Sequence, residues 1–399
     1  MKQSIPITVL TGYLGSGKTT LLNHILHGDH GLKIAVIVND MGSVNVDEAL
    51  INHGGFKRTE EKLISMANGC ICCTLREDLI VALDSLAQLP DIDYIVIEAS
   101  GISEPIPIAQ SLTLPENPLG IDLTGQVHLD TMVTVVDAKR IWDDFGSGQP
   151  IVDRQKEIVD EENRDIRDLL IDQIEFCNVL ILNKCDLLEE WQVEKIETLV
   201  KSLQREAKII RSVRSEIALT DILNTNLFDL EEMSYAAGWI KELELGYQDH
   251  VPETEEYGIS SFVYRSNLPM DAERFNAFLE KHFPASVVRS KGFVWFAQHS
   301  DFSSLMETAG NHVDISPLTY WLATLPKAER MQVLSEDPEI KERWHPLYGD
   351  RLTEIVFIGI DMHQSGIEAA LDLCLVDEAA LQSGLYSKTS PYPWEASSL

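Results

Sequence analysis

Uniformly apolar runs alternate with amphipathic segments over the first half of the chain. The runs are rich in Ile and Val, and the segments between or after them have helical periodicity. The runs occupy residues 5–10, 33–38, 94–97, 132–136 and 179–182, and the helical segments include 19–26, 75–89 and 189–207. Strands that are apolar along their whole length, alternating with helices, are typical of a parallel sheet covered on both faces. We therefore predict an α/β domain with a mainly parallel sheet over residues 1–225.

The pattern changes in the second half of the chain. Residues 238–258 have no apolar period and carry an acidic run, so we predict a linker over 226–258. Beyond it, strand-like stretches at 259–265, 287–297 and 352–360 accompany helical stretches at 271–282 and 365–373, and the charged stretch 326–345 indicates a helical insertion. This predicts a smaller α+β domain over 259–375. A tail over 376–399 follows, and we expect it to be frayed from residue 387.

Composition narrows the class of protein. The chain has 399 residues, of which 44% are hydrophobic, so two globular domains are expected. Its 64 acidic and 32 basic residues give a net charge of −32, which disfavours broad nucleic-acid binding. No apolar stretch approaches the roughly 20 residues of a membrane span, and the first residues lack a signal peptide's apolar region. We expect a cytoplasmic protein with no membrane or nucleic-acid partner, whose six cysteines are reduced.

A complete phosphate-loop pattern occupies residues 12–19, between the first predicted strand and the first predicted helix. Its glycines let backbone N–H groups surround a phosphate, and the helix start adds partial positive charge. We expect Lys18 to reach the β- and γ-phosphates and the Thr19 hydroxyl to ligate Mg²⁺. The residues predicted to bind nucleotide here are Gly12, Gly15, Ser16, Gly17, Lys18, Thr19 and Thr20.

A second motif at residues 95–101 would bind Mg²⁺ and contact the γ-phosphate. Glu98 ends an apolar strand, and Gly101 follows three residues later. A strand that ends in an acid is commonplace by itself, but beside a phosphate loop it predicts a carboxylate that holds Mg²⁺ through water. The Gly101 N–H can contact a γ-phosphate. Lys18 and Glu98 are therefore the predicted catalytic residues.

The base is indicated by residues 183–186, Asn-Lys-Cys-Asp, after the apolar run 179–182. The Asp186 carboxylate can accept hydrogen bonds from N1–H and the 2-amino group of guanine, whereas adenine presents a lone pair there. Asn183 and the stem of Lys184 would brace the ring. The alternative is a helix start capped by Asp186. Together with the two upstream motifs, the pattern predicts GTP rather than ATP.

Three cysteines in four residues lie between the two phosphate motifs: Cys70, Cys72 and Cys73. They come just before the predicted helix 75–89, whose dipole favours the thiolate form. Three thiolates suit Zn²⁺ in a tetrahedral site with one position left over, and Cu(I) would also suit soft sulfur. A redox switch and small buried side chains are the alternatives. Cys177 and Cys374 lie in apolar surroundings and are predicted to be core.

The sequence does not determine the fourth ligand of such a site. Asp40 and Asp47 flank the loop after the second strand and are candidates, although either would equally suit Mg²⁺ or solvent. His24, His27 and His30 have a spacing of three residues, but no acid accompanies them and the helix ends near residue 28. They are therefore less favoured.

These motifs resemble those of the CobW-type P-loop GTPases, a metallochaperone family, and in particular its zinc-related branch. The resemblance rests on residues 12–19, 69–73, 98–101, 104–105 and 183–186, and residues 259–375 resemble the family's C-terminal domain. It implies a P-loop GTPase domain, slow GTP hydrolysis, Zn²⁺ or a related metal at the cysteines, and transfer to a client metalloprotein. Two departures stand out. Asp40 and Ser43 replace glutamates that are common in the family, and the linker carries only His250 where many members have a His-rich segment.

We therefore expect a GTP-hydrolysing metallochaperone that uses GTP/GDP, Mg²⁺ and Zn²⁺ and delivers metal to client metalloproteins. One alternative is a GTPase assembly factor for a cobalt–corrinoid or metallohydrolase centre, which would share every motif. A second is a metal-responsive binding protein that holds GTP only as a structural ligand. A third is an ATP-dependent small-molecule kinase, which would prefer adenine.

Overall fold

The five apolar runs of the first half and two further strands form one parallel sheet. The computed structural model describes residues 4–40, 62–67, 74–113, 119–123, 125–146, 166–234, 237, 240, 256–309 and 312–392. Those up to residue 237 belong to one compact unit and those from 240 onward to a second. The strands of the first unit are β1 (Ile5–Thr11), β2 (Ile34–Asp40), β3 (Lys62–Ala67), β4 (Tyr94–Glu98), β5 (Val127–Asp137), β6 (Val179–Asn183) and β7 (Lys208–Arg211). Their order is β3-β2-β4-β1-β5-β6-β7, and every described pair is parallel.

Helices cover both faces of this sheet. They are α1 (Lys18–His27), α2 (Thr74–Ala87), α3 (Pro105–Thr113), α4 (Ala138–Ile141), α5 (Ile166–Glu175), α6 (Glu190–Leu203) and α7 (Leu230–Ser234), and a π-helix (Trp142–Gly146) continues α4. Alternate residues of β1 point to opposite faces. Ile7 and Val9 pack in a cluster with α2 and α3, whereas Leu10 packs with Leu22 of α1. The predicted parallel sheet with two covered faces is confirmed.

A buried carboxylate ties a long connection to the amino edge of the sheet. Asp130 of β5 is 2% exposed, and its carboxylate accepts hydrogen bonds from Thr225 N at 3.0 Å and Asn226 N at 2.5 Å. The Tyr94 hydroxyl also donates to it. Burial, followed by this hydrogen bond, raises the pKa of Tyr94. The network fixes the residues that follow β7 to the edge of the sheet opposite the carboxyl ends of its strands.

The second unit is a five-stranded antiparallel sheet with helices. Its strands are β8 (Ile259–Ser266), β9 (Val287–Val294), β10 (Phe302–Ala309), β11 (His312–Tyr320) and β12 (Thr353–Ile360), in the order β11-β10-β9-β12-β8. Its helices are α8 (Ala272–Lys281), α9 (Lys327–Glu336), α10 (Pro338–Glu342), α11 (Gln364–Asp372) and α12 (Glu378–Ser383). Phe275 of α8 and Leu371 of α11 pack against Phe357 and Met306 of the sheet. This confirms the predicted smaller α+β fold.

The expectation of a frayed tail from residue 387 is wrong for residues 387–392. The Tyr392 ring packs on Phe296 with centroids 5.2 Å apart, and the Ser390 hydroxyl lies 2.9 Å from Nε2 of His299. An aromatic anchor and hydrogen bonds therefore hold this segment despite its prolines. Among the described residues, no helix combines the length and apolar character needed to cross a bilayer.

Candidate nucleotide site

The predicted nucleotide residues lie where several parallel strands end. β1 ends at Thr11, β4 at Glu98 and β6 at Asn183, all at the same edge of the sheet because the strands are parallel. β1 lies between β4 and β5, and the chain continues to one side after β1 and to the other after β4. Ligands of open α/β sheets bind outside the carboxyl ends of strands at such a switch point.

The loop between β1 and α1 has the geometry of a phosphate cradle. Gly17 has a φ of 119°, and a Cβ there would lie 2.3 Å from Nδ2 of Asn183, so only glycine fits. A Cβ at Gly15 would meet nothing within 4 Å, because this part of the loop is open. The Ser16 hydroxyl is buried and has no hydrogen-bond partner among the described residues. A phosphate oxygen would fit this loop and this hydroxyl.

Lys18 points into the loop. Its ammonium donates to the Gly12 carbonyl at 2.6 Å and to the Tyr13 carbonyl at 3.3 Å, and the side chain is buried. The charge therefore lies inside the ring of backbone groups that would surround a phosphate. Thr20 is exposed on the first turn of α1.

Two hard oxygen ligands meet at the start of α1. The Thr19 hydroxyl donates to Oε1 of Glu98 at 2.8 Å, and Glu98 is 3% exposed at the end of β4. Hydroxyl and carboxylate oxygens suit Mg²⁺, so the residues present fit this ion. Gly101 lies against the same loop, because a Cβ there would come within 2.6 Å of the Leu14 nitrogen.

Asn183 joins the two sides of the site. Its amide donates to the Ser16 carbonyl at 2.8 Å and accepts from Ser215 N at 2.9 Å and the Ser212 hydroxyl at 3.1 Å. Lys184 follows with a φ of 62°, and Asp186 is exposed on a short 3₁₀ helix (Cys185–Leu187). The exposed carboxylate is available to a base.

The segment 212–215 after β7 belongs to the site and was missed from the sequence. It follows a four-residue strand with charged ends, which gives a weak apolar signal. Arg211 pairs with Glu197 through Nε at 2.7 Å and Nη2 at 2.6 Å, and also donates to Glu190. The hydrogen bond to Glu197 raises the pKa of Arg211. These pairs brace the segment against α6.

The cysteine cluster lies outside the described residues, as do Ser43 and Asp47. Asp40 ends β2, Ala67 ends β3 and Thr74 begins α2. β3, the strand before Cys70, Cys72 and Cys73 in the sequence, therefore ends at the carboxyl edge of the sheet, where the phosphate loop also lies.

The other candidate metal residues are not brought together. Nε2 of His24 and of His30 each lie 3.0 Å from a backbone carbonyl, and Nδ1 of His27 lies 2.7 Å from another. In the part of the chain that the structure describes, no group of three or more His, Cys, Asp or Glu could hold a metal ion. Cys177 and Cys374 are buried, as predicted, and burial raises the pKa of the Cys177 thiol to about 12 and of the Cys374 thiol to about 11.

Two family models match the chain. The CobW/HypB/UreG nucleotide-binding domain matches residues 6–211, and the cobalamin synthesis protein CobW C-terminal domain matches residues 259–375. The chain belongs to the CobW family. The predicted family and the predicted fold class are thereby confirmed.

Relatives with similar sequences carry zinc-related names. The chain is 46% identical over 393 residues to the zinc-regulated GTPase metalloprotein activator 1 of Dictyostelium discoideum, covering 96% of this chain and 82% of the relative. It is 28% identical over 348 residues to the zinc chaperone CobW of Pseudomonas aeruginosa, covering 84% and 88%. Among solved structures, the Zn(II)-bound YjiA GTPase of Escherichia coli is similar, with 22% identity, a TM-score of 0.41, and coverage of 94% of this chain and 99% of that one.

Proposed function

We propose that this protein hydrolyses GTP and uses the nucleotide cycle to hold zinc and deliver it to client metalloproteins. The observation that carries the proposal is the contact between Thr19 and Glu98 on a complete phosphate loop, at the edge of the sheet where β3, the strand before the cysteines, also ends. The names of the relatives, a zinc-regulated GTPase metalloprotein activator and a zinc chaperone, agree with this prediction.

The phosphate side supplies charge and orientation for hydrolysis. Lys18 binds the β- and γ-phosphates in place of its own loop carbonyls, and the Ser16 hydroxyl donates to a phosphate oxygen. Thr19, and Glu98 through water, would hold Mg²⁺, and the ion would supply positive charge that offsets the charge of the phosphates. Gly101 brings its N–H against the loop, where it can respond to a γ-phosphate. We expect slow turnover, because no described side chain is assigned to orient the attacking water.

The base side selects guanine. Asp186 accepts from N1–H and the 2-amino group, and Lys184 lies beside the ring. Asn183 holds the phosphate loop and segment 212–215 in one arrangement, so base and phosphate binding are linked through its hydrogen bonds.

The metal side rests on ligand chemistry and on where the neighbouring elements end. Cys70, Cys72 and Cys73 supply three thiolates, which suit Zn²⁺ with one further ligand. β3 is two strands away from β4, so its end lies about 10 Å from the strand that carries Glu98. Over that distance a change at the γ-phosphate can alter the shape of the cysteine segment, and so its affinity for zinc or for a client. The cytoplasm is part of this proposal, because clustered thiols stay reduced there.

Zinc titration against a chelator tests the proposal in the full chain. We expect zinc affinity to differ between the GDP state and the state with a non-hydrolysable GTP analogue. A Cys70→Ser/Cys72→Ser/Cys73→Ser variant should lose zinc binding and keep GDP binding, whereas Cys374→Ala, which removes a buried thiol of the second unit, should keep both. Unaltered zinc stoichiometry and affinity in the triple variant would refute the zinc site.

Steady-state GTP hydrolysis tests the reaction. We expect turnover that responds to zinc and is lost in Lys18→Ala. GTP binding without turnover in the wild-type chain would instead favour a metal-responsive binding protein that holds GTP as a structural ligand.

A further inference from the structure

Asp137 ends β5 directly beside the guanine motif. In the pairing of β5 with β6 it lies opposite Asn183, so it belongs to the edge of the sheet that carries the nucleotide residues. No local sequence pattern singles it out, because it lies 47 residues away from the motif that it contacts.

The two carboxylate oxygens of Asp137 have different partners. Oδ1 accepts from Arg140 N at 3.2 Å and caps α4, and Oδ2 accepts from the Lys184 ammonium at 2.6 Å. Since one oxygen is fixed by the helix, the other presents a fixed point to the lysine. The pair is partly shielded from solvent, with the Asp137 side chain 20% and the Lys184 side chain 34% exposed.

The helix that Asp137 caps is also held from the side of the phosphate loop. The Arg140 guanidinium, one turn into α4, stacks over the Tyr13 ring at 4.2 Å from its centroid. Tyr13 is the second residue of the phosphate loop, and its carbonyl accepts from Lys18. α4 therefore connects the phosphate loop at one end with the lysine of the guanine motif at the other.

Lys184 has an uncommon backbone conformation. Its φ of 62° is left-handed, a conformation that non-glycine residues seldom adopt, and it opens the 3₁₀ helix that carries Asp186. From there the stem runs to Asp137 at the end of the neighbouring strand. A lysine stem stretched between two fixed ends presents an apolar surface on which a planar base can lie.

We propose that Asp137 is a positioning residue for guanine recognition, which fixes the stem of Lys184 against one face of the base through the Lys184–Asp137 ion pair. This inference rests on the proposed binding of guanine nucleotides. A merely structural ion pair of this exposure would contribute little to stability and nothing to base affinity. The two roles therefore predict different results.

Asp137→Asn separates the two functions of the carboxylate. Asparagine is as good a helix cap as aspartate, so α4 is kept while the ion pair is lost. Lys184→Met keeps an apolar stem and removes the ammonium. The matched control is Asp221→Asn, which removes an ion pair with Lys208 of similar length, 2.7 Å, outside the site.

Calorimetric titration of the full-length variants with GDP is the test, with inorganic tripolyphosphate as the probe for the phosphate loop alone. We expect Asp137→Asn and Lys184→Met each to weaken GDP binding about fivefold to tenfold, and the double variant to be no weaker than either, as for two residues that act as a pair. Tripolyphosphate affinity should stay at the wild-type value in both, and Asp221→Asn should bind GDP normally.

Several results would overturn the inference. These are GDP affinity of Asp137→Asn within twofold of wild type, losses that multiply in the double variant, or an equal loss of tripolyphosphate affinity. Failure of the wild-type chain to bind GDP at all would refute the proposed function instead, so the two failures are distinguishable.

Discussion

Replacing Asn183 with alanine is expected to weaken both folding and nucleotide binding. The side chain is 2% exposed and makes three hydrogen bonds, to the Ser16 carbonyl at 2.8 Å, Ser215 N at 2.9 Å and the Ser212 hydroxyl at 3.1 Å. Each bond contributes about 1 kcal/mol net, and a buried group left without its partner costs about 1–3 kcal/mol. We expect the free energy of unfolding of the first unit to fall by about 2–3 kcal/mol.

The same three bonds align the phosphate loop with segment 212–215, so their loss also weakens binding. A nucleotide must contact both sides of the site at once, and in the alanine variant it would have to restore the alignment itself. If between half and all of the lost 2–3 kcal/mol must be restored by the nucleotide, GDP affinity falls about 5-fold to 150-fold.

Asn178→Ala is a matched control at the opposite end of β6. Its side chain accepts from Met132 N at 2.9 Å and donates to the Leu227 carbonyl at 3.0 Å, at the amino edge of the sheet. We expect urea unfolding, followed by far-UV circular dichroism, to show a loss of stability in both variants. Calorimetry should show weak GDP binding only in Asn183→Ala. The reasoning fails if Asn183→Ala binds GDP within about threefold of wild type, or if the control loses as much affinity.

Three further changes have defined outcomes. Gly101→Ala places a Cβ 2.6 Å from the Leu14 nitrogen, so the phosphate loop must shift. We expect GTP affinity to fall at least about tenfold, and unchanged affinity in calorimetry would contradict this contact. Asp130→Asn turns an NH₂ donor toward one of the two backbone N–H groups that now donate to the carboxylate, which should lower the free energy of unfolding by about 3 kcal/mol. The half-buried control Asp84→Asn should change it little. Burial lowers the pKa of His299 below 6.5, so the neutral form is favoured in the folded state, and stability should decline as the pH falls from 6.5 through the lowered value. His299→Gln should flatten that decline in thermal melts between pH 7 and 5, and an equally steep decline would show that the group is not responsible.

Five of the seven described parallel strands could be predicted because their residues are apolar along most of their length, whereas β3 and β7, with lysine or arginine at their ends, were missed. β4 and β6 are buried at every position, so each strand contains a run of consecutive apolar residues that can be recognised in the sequence. The hairpin of β10 and β11 was missed for the opposite reason. Thr308 of β10 is fully buried, but its hydroxyl bonds to the Ser290 hydroxyl at 2.7 Å and accepts from Ser290 N. Polar residues that are satisfied inside a sheet look like surface residues in a sequence.

The site was predictable where a ligand fixes the local sequence, and not where distant residues meet. The phosphate loop and the guanine motif are contiguous, and their spacing alone predicts roles for Lys18 and Asp186. Asp137 and Ser215 reach the guanine motif across 47 and 32 residues, and nothing in their own neighbourhoods indicates these contacts.

The register of β3 sets where the strand that precedes the cysteine motif ends. Within the described sheet β3 is hydrogen-bonded to β2 alone, with Lys62 opposite Ala35 and Ala67 opposite Asp40. Sliding this pairing by one residue would move Ala67, the last residue of β3, about 3.3 Å along the strand axis. Since Cys70 follows Ala67 by three residues, the proposed zinc site would depend on this one pairing for its distance from the nucleotide.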